Sequence, residues 1–209
     1  MFTGIIEEVG VIKTLKAGQV YDIVIKCPKT AEKVNLGDSV AVNGICLTVT
    51  KIEGDFLSYN AVNETVNRTA FRTLRAGEPV NLETALTLSK PIGGHLVSGH
   101  IDGVASILNI IDIGSSKEIT FGAQDNILKY IVEKGSVCID GVSLTVASVN
   151  SDNFKVALIP HTLENTALKN KSMGALVNIE CDIIGKYVEK LVSGKEKKSL
   201  LELLKEEGF

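Results

Sequence analysis

The chain has 209 residues, 44% apolar and 22% charged, with a net charge of −3. This is an ordinary composition for one large or two small globular domains, burying roughly 70% of the surface that the unfolded chain exposes. The mild acidity argues against wrapping nucleic acid or anchoring to an anionic membrane, and no apolar run reaches the roughly 18–20 residues that span a bilayer.

The first residues, Met1-Phe-Thr-Gly-Ile-Ile-Glu-Glu8, carry no basic stretch and meet acid too early for a secretion signal, so a cytoplasmic protein is expected. Short runs rich in Val, Ile, Thr and Tyr predict strands at 5–12, 20–25, 39–42, 47–52 and 56–61, with turns at Asn43-Gly44 and Gly54-Asp55. Asn63-Glu64-Thr65 could open a short helix, and 80–85 is a closing strand. After the glycine-rich join Gly93-Gly-His-Leu-Val-Ser-Gly-His100 the order repeats, with Asp140-Gly141 as the hairpin turn. Ile127, Leu128, Ile131 and Val132 at helical spacing predict a helix over 124–134. Finally Tyr187-Val188, Leu191-Val192, Leu200-Leu201 and Leu203-Leu204 mark an amphipathic helix, broken near Ser193-Gly194. It either packs back on its own chain or joins chains together. Closed barrels leave little groove for it, which favours oligomerisation.

The repetition is literal. Ser39-Val-Ala-Val-Asn-Gly-Ile-Cys-Leu-Thr-Val49 and Ser136-Val-Cys-Ile-Asp-Gly-Val-Ser-Leu-Thr-Val146 share six of eleven residues at a spacing of 97. The same spacing pairs Glu64-Thr65 with His161-Thr162, Thr69-Ala70 with Thr166-Ala167, Gly77 with Gly174, and Val80-Asn-Leu-Glu83 with Val177-Asn-Ile-Glu180. Near the start a spacing of 95 pairs Gly4-Ile-Ile-Glu-Glu-Val9 with Gly99-His-Ile-Asp-Gly-Val104. A duplicated domain of about 95 residues follows. Five or six short strands per half predict an all-β fold with short helices. It has two duplicated six-stranded Greek-key barrels plus a C-terminal amphipathic helix, divided as 1–94, 95–186 and 187–209.

Few residues offer chemistry. The four cysteines form no Cys-x-x-Cys pair, and no carboxylate or thiol near His95 and His100 completes a ligand set, so no metal is expected. Ser98 lacks the glycines of a nucleophile elbow, and Gly93-Gly94-His95 is neither a dinucleotide fingerprint nor a phosphate loop. A histidine alone is more often structural, but Gly93, Gly94 and Gly99 would let a ligand approach the backbone. Cys46 alone reads as a core residue, yet its repeat partner is Ser143, which suggests a polar task. Asn43 and Asp140 read as turn residues, and Thr48 and Thr145 as strand formers.

Met1-Phe-Thr-Gly-Ile-Ile-Glu7, Asn43-Gly-Ile-Cys-Leu-Thr-Val49, Gly93-Gly-His-Leu-Val-Ser-Gly-His-Ile-Asp-Gly103 and Asp140-Gly-Val-Ser-Leu-Thr-Val146 resemble the riboflavin synthases of the alpha-chain type, across essentially the whole chain. The resemblance implies cofactor-free homotrimers that dismutate 6,7-dimethyl-8-ribityllumazine. One molecule gives a four-carbon unit to another, yielding riboflavin and 5-amino-6-ribitylaminouracil. It further implies lumazine synthase as a partner, and active sites between the first barrel of one chain and the second barrel of its neighbour.

Carried over residue by residue, Gly4, Ile5, Ile6, Cys46, Leu47, Thr48, Asn60, Ala61, Val62, Asn63, Glu64 and Thr65 are expected to line the first-barrel half-site. Gly99, His100, Ile101, Lys134, Ser143, Leu144, Thr145, Ala157, Leu158, Ile159, Pro160, His161 and Thr162 are expected to line the second. His100, with His95 beside it, is the candidate acid or base, and Cys46 and Ser143 are candidate nucleophiles or water-positioning groups. His161 stands where the first half has Glu64, so the half-sites are not equivalent. Similar barrels of luminous bacteria bind the chromophore without turnover. Two histidines and two Leu-Thr-Val motifs favour the enzyme over that non-catalytic lumazine- or flavin-binding reading. An oligonucleotide-binding barrel is opposed by the charge and by the lack of interleaved arginines and aromatics.

Overall fold

The fold was obtained as a computed structural model that describes residues 1–193. Leu200, Leu201, Leu203 and Leu204 of the predicted tail helix lie outside the described residues. The first half forms β1 (Glu8–Lys16), β2 (Tyr21–Lys26), the single turn α1 (Pro28–Ala31), β3 (Ser39–Val42), β4 (Ile45–Glu53), β5 (Phe56–Ala61), α2 (Asn63–Arg68), a 3₁₀ turn at Ala70–Thr73 and β6 (Pro79–Thr84). The second half repeats it with β7 (Gly103–Ile113), β8 (Ser116–Gly122), α3 (Asp125–Leu128), β9 (Ser136–Ile139), β10 (Val142–Val149), β11 (Asn153–Leu158), α4 (Pro160–Asn165), a 3₁₀ turn at Ala167–Asn170 and β12 (Leu176–Cys181). Helix α5 (Ile183–Ser193) follows.

Each set of six strands closes into an antiparallel barrel. The order around the first is β1-β2-β5-β4-β3-β6, with β6 pairing back onto β1, and the second has the equivalent order. The period-two pattern explains which face goes inward. In β5, Leu57, Tyr59 and Ala61 are buried inside the barrel, while Ser58 and Asn60 face out. In β11, Phe154, Val156 and Leu158 are the inward set. The β3–β4 turn uses Asn43 at φ 45° and Gly44 at φ 80°, and the β9–β10 turn uses Asp140 at φ 45° and Gly141 at φ 83°. Two successive positive φ angles suit the right-handed twist of a two-residue hairpin.

Two expectations change. The first strand begins at Glu8 rather than Ile5, because the carbonyls of Thr3 and Gly4 accept from His95 N and Ser143 N instead of joining the ladder of their own barrel. The predicted helix over 124–134 shrinks to the four residues of α3. Ile127, Leu128 and Ile131 are buried as the spacing requires but Val132 is exposed, since the chain only has to cross one barrel end, and Lys134 at φ 65° turns it into β9. Its counterpart α1, which strand propensities did not reveal, crosses the equivalent end of the first barrel.

The barrels meet about a pseudo-twofold axis built from the repeated motifs. Asn81 of β6 donates its amide to the Asp140 carbonyl at 2.8 Å, and Asn178 of β12 donates to the Asn43 carbonyl at 2.9 Å. Their side-chain carbonyls accept from Ala167 N at 2.6 Å and Ala70 N at 2.7 Å. The two hairpin turns touch so closely that a Cβ on Gly44 would sit 2.8 Å from Gly141 N. All four asparagine and aspartate side chains are buried, and Asn81 and Asn178 are matched to partners across the axis, as buried polar groups require.

Candidate functional site

The two halves carry equivalent surface pockets at repeated positions. The first, of about 180 Å³, is lined by Cys46 of β4, Glu64, Thr65 and Arg68 of α2, and Gly99, His100 and Ile101 of the join. The second, of about 110 Å³, is lined by Ser143 of β10, His161, Thr162 and Asn165 of α4, and Gly4, Ile5 and Ile6 of the N-terminal segment. A larger cavity of about 500 Å³ lies elsewhere, between Leu74–Pro79 and Lys171–Leu176. It holds none of the candidate residues, and size alone does not make it the site.

The pockets correct the expected partition. The segment 4–6 belongs to the second-barrel pocket and the segment 99–101 to the first, so the two segments cross. Backbone bonds fix the crossing: Cys46 N donates to Gly99 O at 2.9 Å, and Ser143 N donates to Gly4 O at 2.8 Å. Phe2 and Val97 hydrogen-bond to each other in both directions, tying the two segments together. Both glycines are required. Gly4 lies at φ 75° and Gly99 at φ 84°, and a Cβ on either would fall 2.6 or 2.5 Å from the Cβ of Ser143 or Cys46.

The two histidines separate accordingly. His100 is exposed in the first-barrel pocket, whereas His95 reaches the second, where its Nδ1 lies 2.7 Å from Ser143 Oγ in a hydrogen bond whose direction the tautomer sets. Burial pushes the His95 pKa down, outweighing the carboxylates of Asp182 and Glu180, so the ring is neutral at pH 7. A neutral imidazole whose Nδ1 faces a serine hydroxyl can take its proton. Among the described residues, no group of three His, Cys, Asp or Glu side chains is placed to hold a metal ion.

The other candidate residues lie outside the two pockets. Thr48, Asn60, Val62 and Asn63 are exposed on or just beyond the outward face of β4 and β5, and Asn60 bonds to Asp22. Thr145, Ala157, Ile159 and Pro160 repeat this arrangement in the second barrel. Val62 and Ile159, equivalent residues opening α2 and α4, are 55% and 58% exposed. Leu47, Ala61, Leu144 and Leu158 are buried in the barrel cores. Lys134 lies at the α3–β9 turn and lines neither pocket. Arg68 and Asn165 do line the pockets but were not expected. Arg68 Nε pairs with Glu64 Oε1 at 2.5 Å, one helical turn away. Spacing alone could have found them, since α2 and α4 repeat four residues after Glu64 and His161.

Two buried carboxylates complete the frame. Glu83 of β6 accepts from Thr3 N at 2.8 Å, Thr3 Oγ1 at 2.7 Å and Gly4 N at 2.9 Å. Glu180 of β12 accepts from Ser98 N and Oγ, both at 2.6 Å, and from Gly99 N at 2.9 Å.

The sequence profile of the lumazine binding domain matches residues 3–85 and again residues 98–182. The chain is 44% identical to the riboflavin synthase of Actinobacillus pleuropneumoniae over the whole of both chains. The chain belongs to the riboflavin synthase family. It is also 46% identical to the Bacillus subtilis (strain 168) riboflavin synthase, covering 90% of this chain and 88% of that one. Among solved structures it resembles LumP in complex with 6,7-dimethyl-8-(1'-D-ribityl) lumazine, with a TM-score of 0.79 and 29% identity over 87% of this chain and 99% of LumP. The riboflavin complex of LumP gives 0.81. The two profile matches begin at the crossing segments, so the repeat unit includes the segment that each half lends to the other's pocket.

Proposed function

We propose that this chain works as a riboflavin synthase by dismutating two 6,7-dimethyl-8-ribityllumazine molecules in a site shared between chains. The two products contain the atoms of the two substrates, so the transfer of the four-carbon unit needs no external oxidant or reductant. Units 1–94 and 95–186 each bind one lumazine, and 187–209 holds a cytoplasmic homotrimer together. Lumazine synthase belongs to the same reading as a partner.

The observation that carries the proposal is the pair of shallow, non-equivalent pockets with exposed apolar rims. Each offers a thiol or hydroxyl, a polar helix start and a glycine-supported backbone edge, and each is too shallow to enclose a lumazine by itself. Bringing the first-barrel pocket of one chain against the second-barrel pocket of another would cover Val62 and Ile159 and stack two lumazines, with the orientation advantage that such positioning confers. His100 is the proposed proton-transfer group at the acidic C7 methyl, and Cys46 and the Ser143–His95 pair position water or act as nucleophile. Helix α5 supports the assembly. Glu189 bonds to Lys129 and Tyr130 of its own second barrel, and Lys186 pairs with Asp102 at 2.6 Å, while Ile184, Tyr187, Val188, Leu191 and Val192 stand exposed as one apolar stripe.

The direct test mixes purified protein with dimethylribityllumazine, with no cofactor added, and follows riboflavin absorbance. Turnover supports the proposal. Tight binding with no riboflavin formed would overturn it in favour of a non-catalytic lumazine-binding protein.

A further inference from the structure

The crossing of the two segments raises the question of what holds each pocket wall in place. Among the described residues, no side chain of the second barrel bonds Thr3 or Gly4 to fasten the wall of the second-barrel pocket. Both backbone amides of that segment, and the Thr3 hydroxyl, are taken up by Glu83 of the first barrel. The wall of the first-barrel pocket at Gly99 is held in the same way by Glu180 of the second barrel. Both carboxylates are 1% exposed. Each is a costly group to bury, compensated only by the bonds it makes to these segments and, for Glu83, by Lys90 Nζ at 3.2 Å. Two equivalent residues at the same strand position therefore spend their polarity on the neighbouring barrel's pocket rather than on their own.

We infer that Glu83 and Glu180 are positioning residues that act crosswise, each setting the wall of the pocket on the other barrel. Each carboxylate fixes the glycine whose carbonyl accepts from Ser143 N or Cys46 N, and so fixes the distance between the backbone edge and the reactive side chain of that pocket. In a chain that shares its sites with neighbours, a change at one barrel's sixth strand would disturb the site that the other barrel helps to form. The inference rests on the proposed assignment of these pockets as substrate sites, but its test does not depend on turnover.

Cys46 makes the test possible. Cys27, Cys138 and Cys181 are buried, whereas Cys46 is partly exposed and packs against Gly99. Burial also pushes the Cys27 and Cys181 thiols up to about 12 and Cys138 well above its ordinary range, which keeps all three unreactive. The rate of Cys46 alkylation by iodoacetamide therefore reports the first-barrel wall. In a Cys46→Ser background, Ser143→Cys reports the second-barrel wall, and Cys46→Ser alone is the blank. A glutamine can still accept from Thr3 or Ser98 through its oxygen, but its amide nitrogen cannot accept from Gly4 N or Gly99 N.

Glu180→Gln should raise the Cys46 rate about fivefold, the shift that one lost buried hydrogen bond permits, and leave the Ser143→Cys rate within about twofold. Glu83→Gln should do the reverse. If either glutamine variant does not fold, Ser98→Ala and Thr3→Val remove one bond from the same clamps and should show the same crossed pattern more weakly. A response of each reporter to the glutamate of its own barrel would overturn the inference. So would equal responses of both reporters, or no response in a folded variant.

Discussion

His100 is the residue on which the proposed chemistry leans most. It stands exposed in the first-barrel pocket, with its backbone N–H held by Ser98 Oγ at 3.2 Å. His100→Gln should lower turnover by roughly 10²–10⁴-fold, the usual scale for a lost general acid or base, while lumazine binding measured by fluorescence persists. Near-normal turnover would move the role to His95. A second prediction concerns Asp140, whose pKa burial raises and Lys171, 3.2 Å away, lowers only in part. That contact is ionic rather than a well-directed hydrogen bond, since Asp140 Oδ2 has no hydrogen-bond partner. The first barrel solves the same position without charge, using Asn43 and Leu74. Lys171→Leu should therefore cost about 3–5 kcal/mol in urea unfolding, because it strands a buried carboxylate. Adding Asp140→Asn should recover most of that loss, since asparagine keeps the bond that Asp140 Oδ1 accepts from Asn178 N. Failure of the second substitution to compensate would show that the charge itself is needed.

At the scale of elements, Glu7 clasps the chain just before β1 to the end of β6. Burial opposes its ionisation. Lys90, Lys33 and Thr84 outweigh burial and hold its carboxyl near a pKa of about 2, against 4.5 ordinarily. A carboxylate depressed by folding stabilises the protein above its unfolded pKa, and that stability is lost as the pH falls from about 4.5 toward 2. Glu7→Gln should flatten the acid limb of the stability curve in that window, by at most about 3 kcal/mol because the group is partly exposed. An unchanged acid limb would show that the clasp contributes nothing.

The elements were largely legible in the sequence because strand alternation and the Asn-Gly and Asp-Gly turns are local signals. The duplication, a comparison of the chain with itself, was clearer still. The half-site partition was not legible. Nothing local to Gly4 or Gly99 says which barrel it faces, and that is settled by the bonds that their carbonyls accept from Ser143 N and Cys46 N, far away along the chain. The one available signal was the polar Asn and Glu repeated inside 80–83 and 177–180, where a buried strand would otherwise be apolar. The helix over 124–134 failed because its apolar spacing records burial at a barrel end, which one turn already satisfies.

At the scale of the molecule, the apolar stripe of α5 faces away from the barrel that its charged side grips. Truncation after Lys186 keeps the Asp102 pair but removes Tyr187, Val188, Leu191 and Val192. It should leave folded barrels that sediment as monomers and have lost most activity, and a truncated trimer would refute the helix's role. A shared site also predicts complementation. Cys46→Ala and Ser143→Ala, each impaired at least about tenfold (roughly 1.4 kcal/mol), should regain part of the wild-type activity when unfolded and reassembled together, because an intact first barrel can then meet an intact second barrel. Activity that stays at the average of the two variants, with mixed trimers confirmed by mass, would place each site within one chain.

The contact about the pseudo-twofold axis has one more consequence. Asn81 gives and takes across the axis the same two bonds that Asn178 gives and takes in return, and the turns meet glycine to glycine. The first barrel already owns every group needed to face a copy of itself: Asn43 in place of Asp140, Ala70 in place of Ala167, Gly44 in place of Gly141. The covalent chain thus holds, as two linked halves, what in separate molecules would be an isologous dimer. Its core is also drawn almost wholly from its own half of the chain. A fragment of residues 1–94 should therefore fold and associate in pairs, and Asn81→Leu should return it to a single copy in sedimentation without unfolding the barrel.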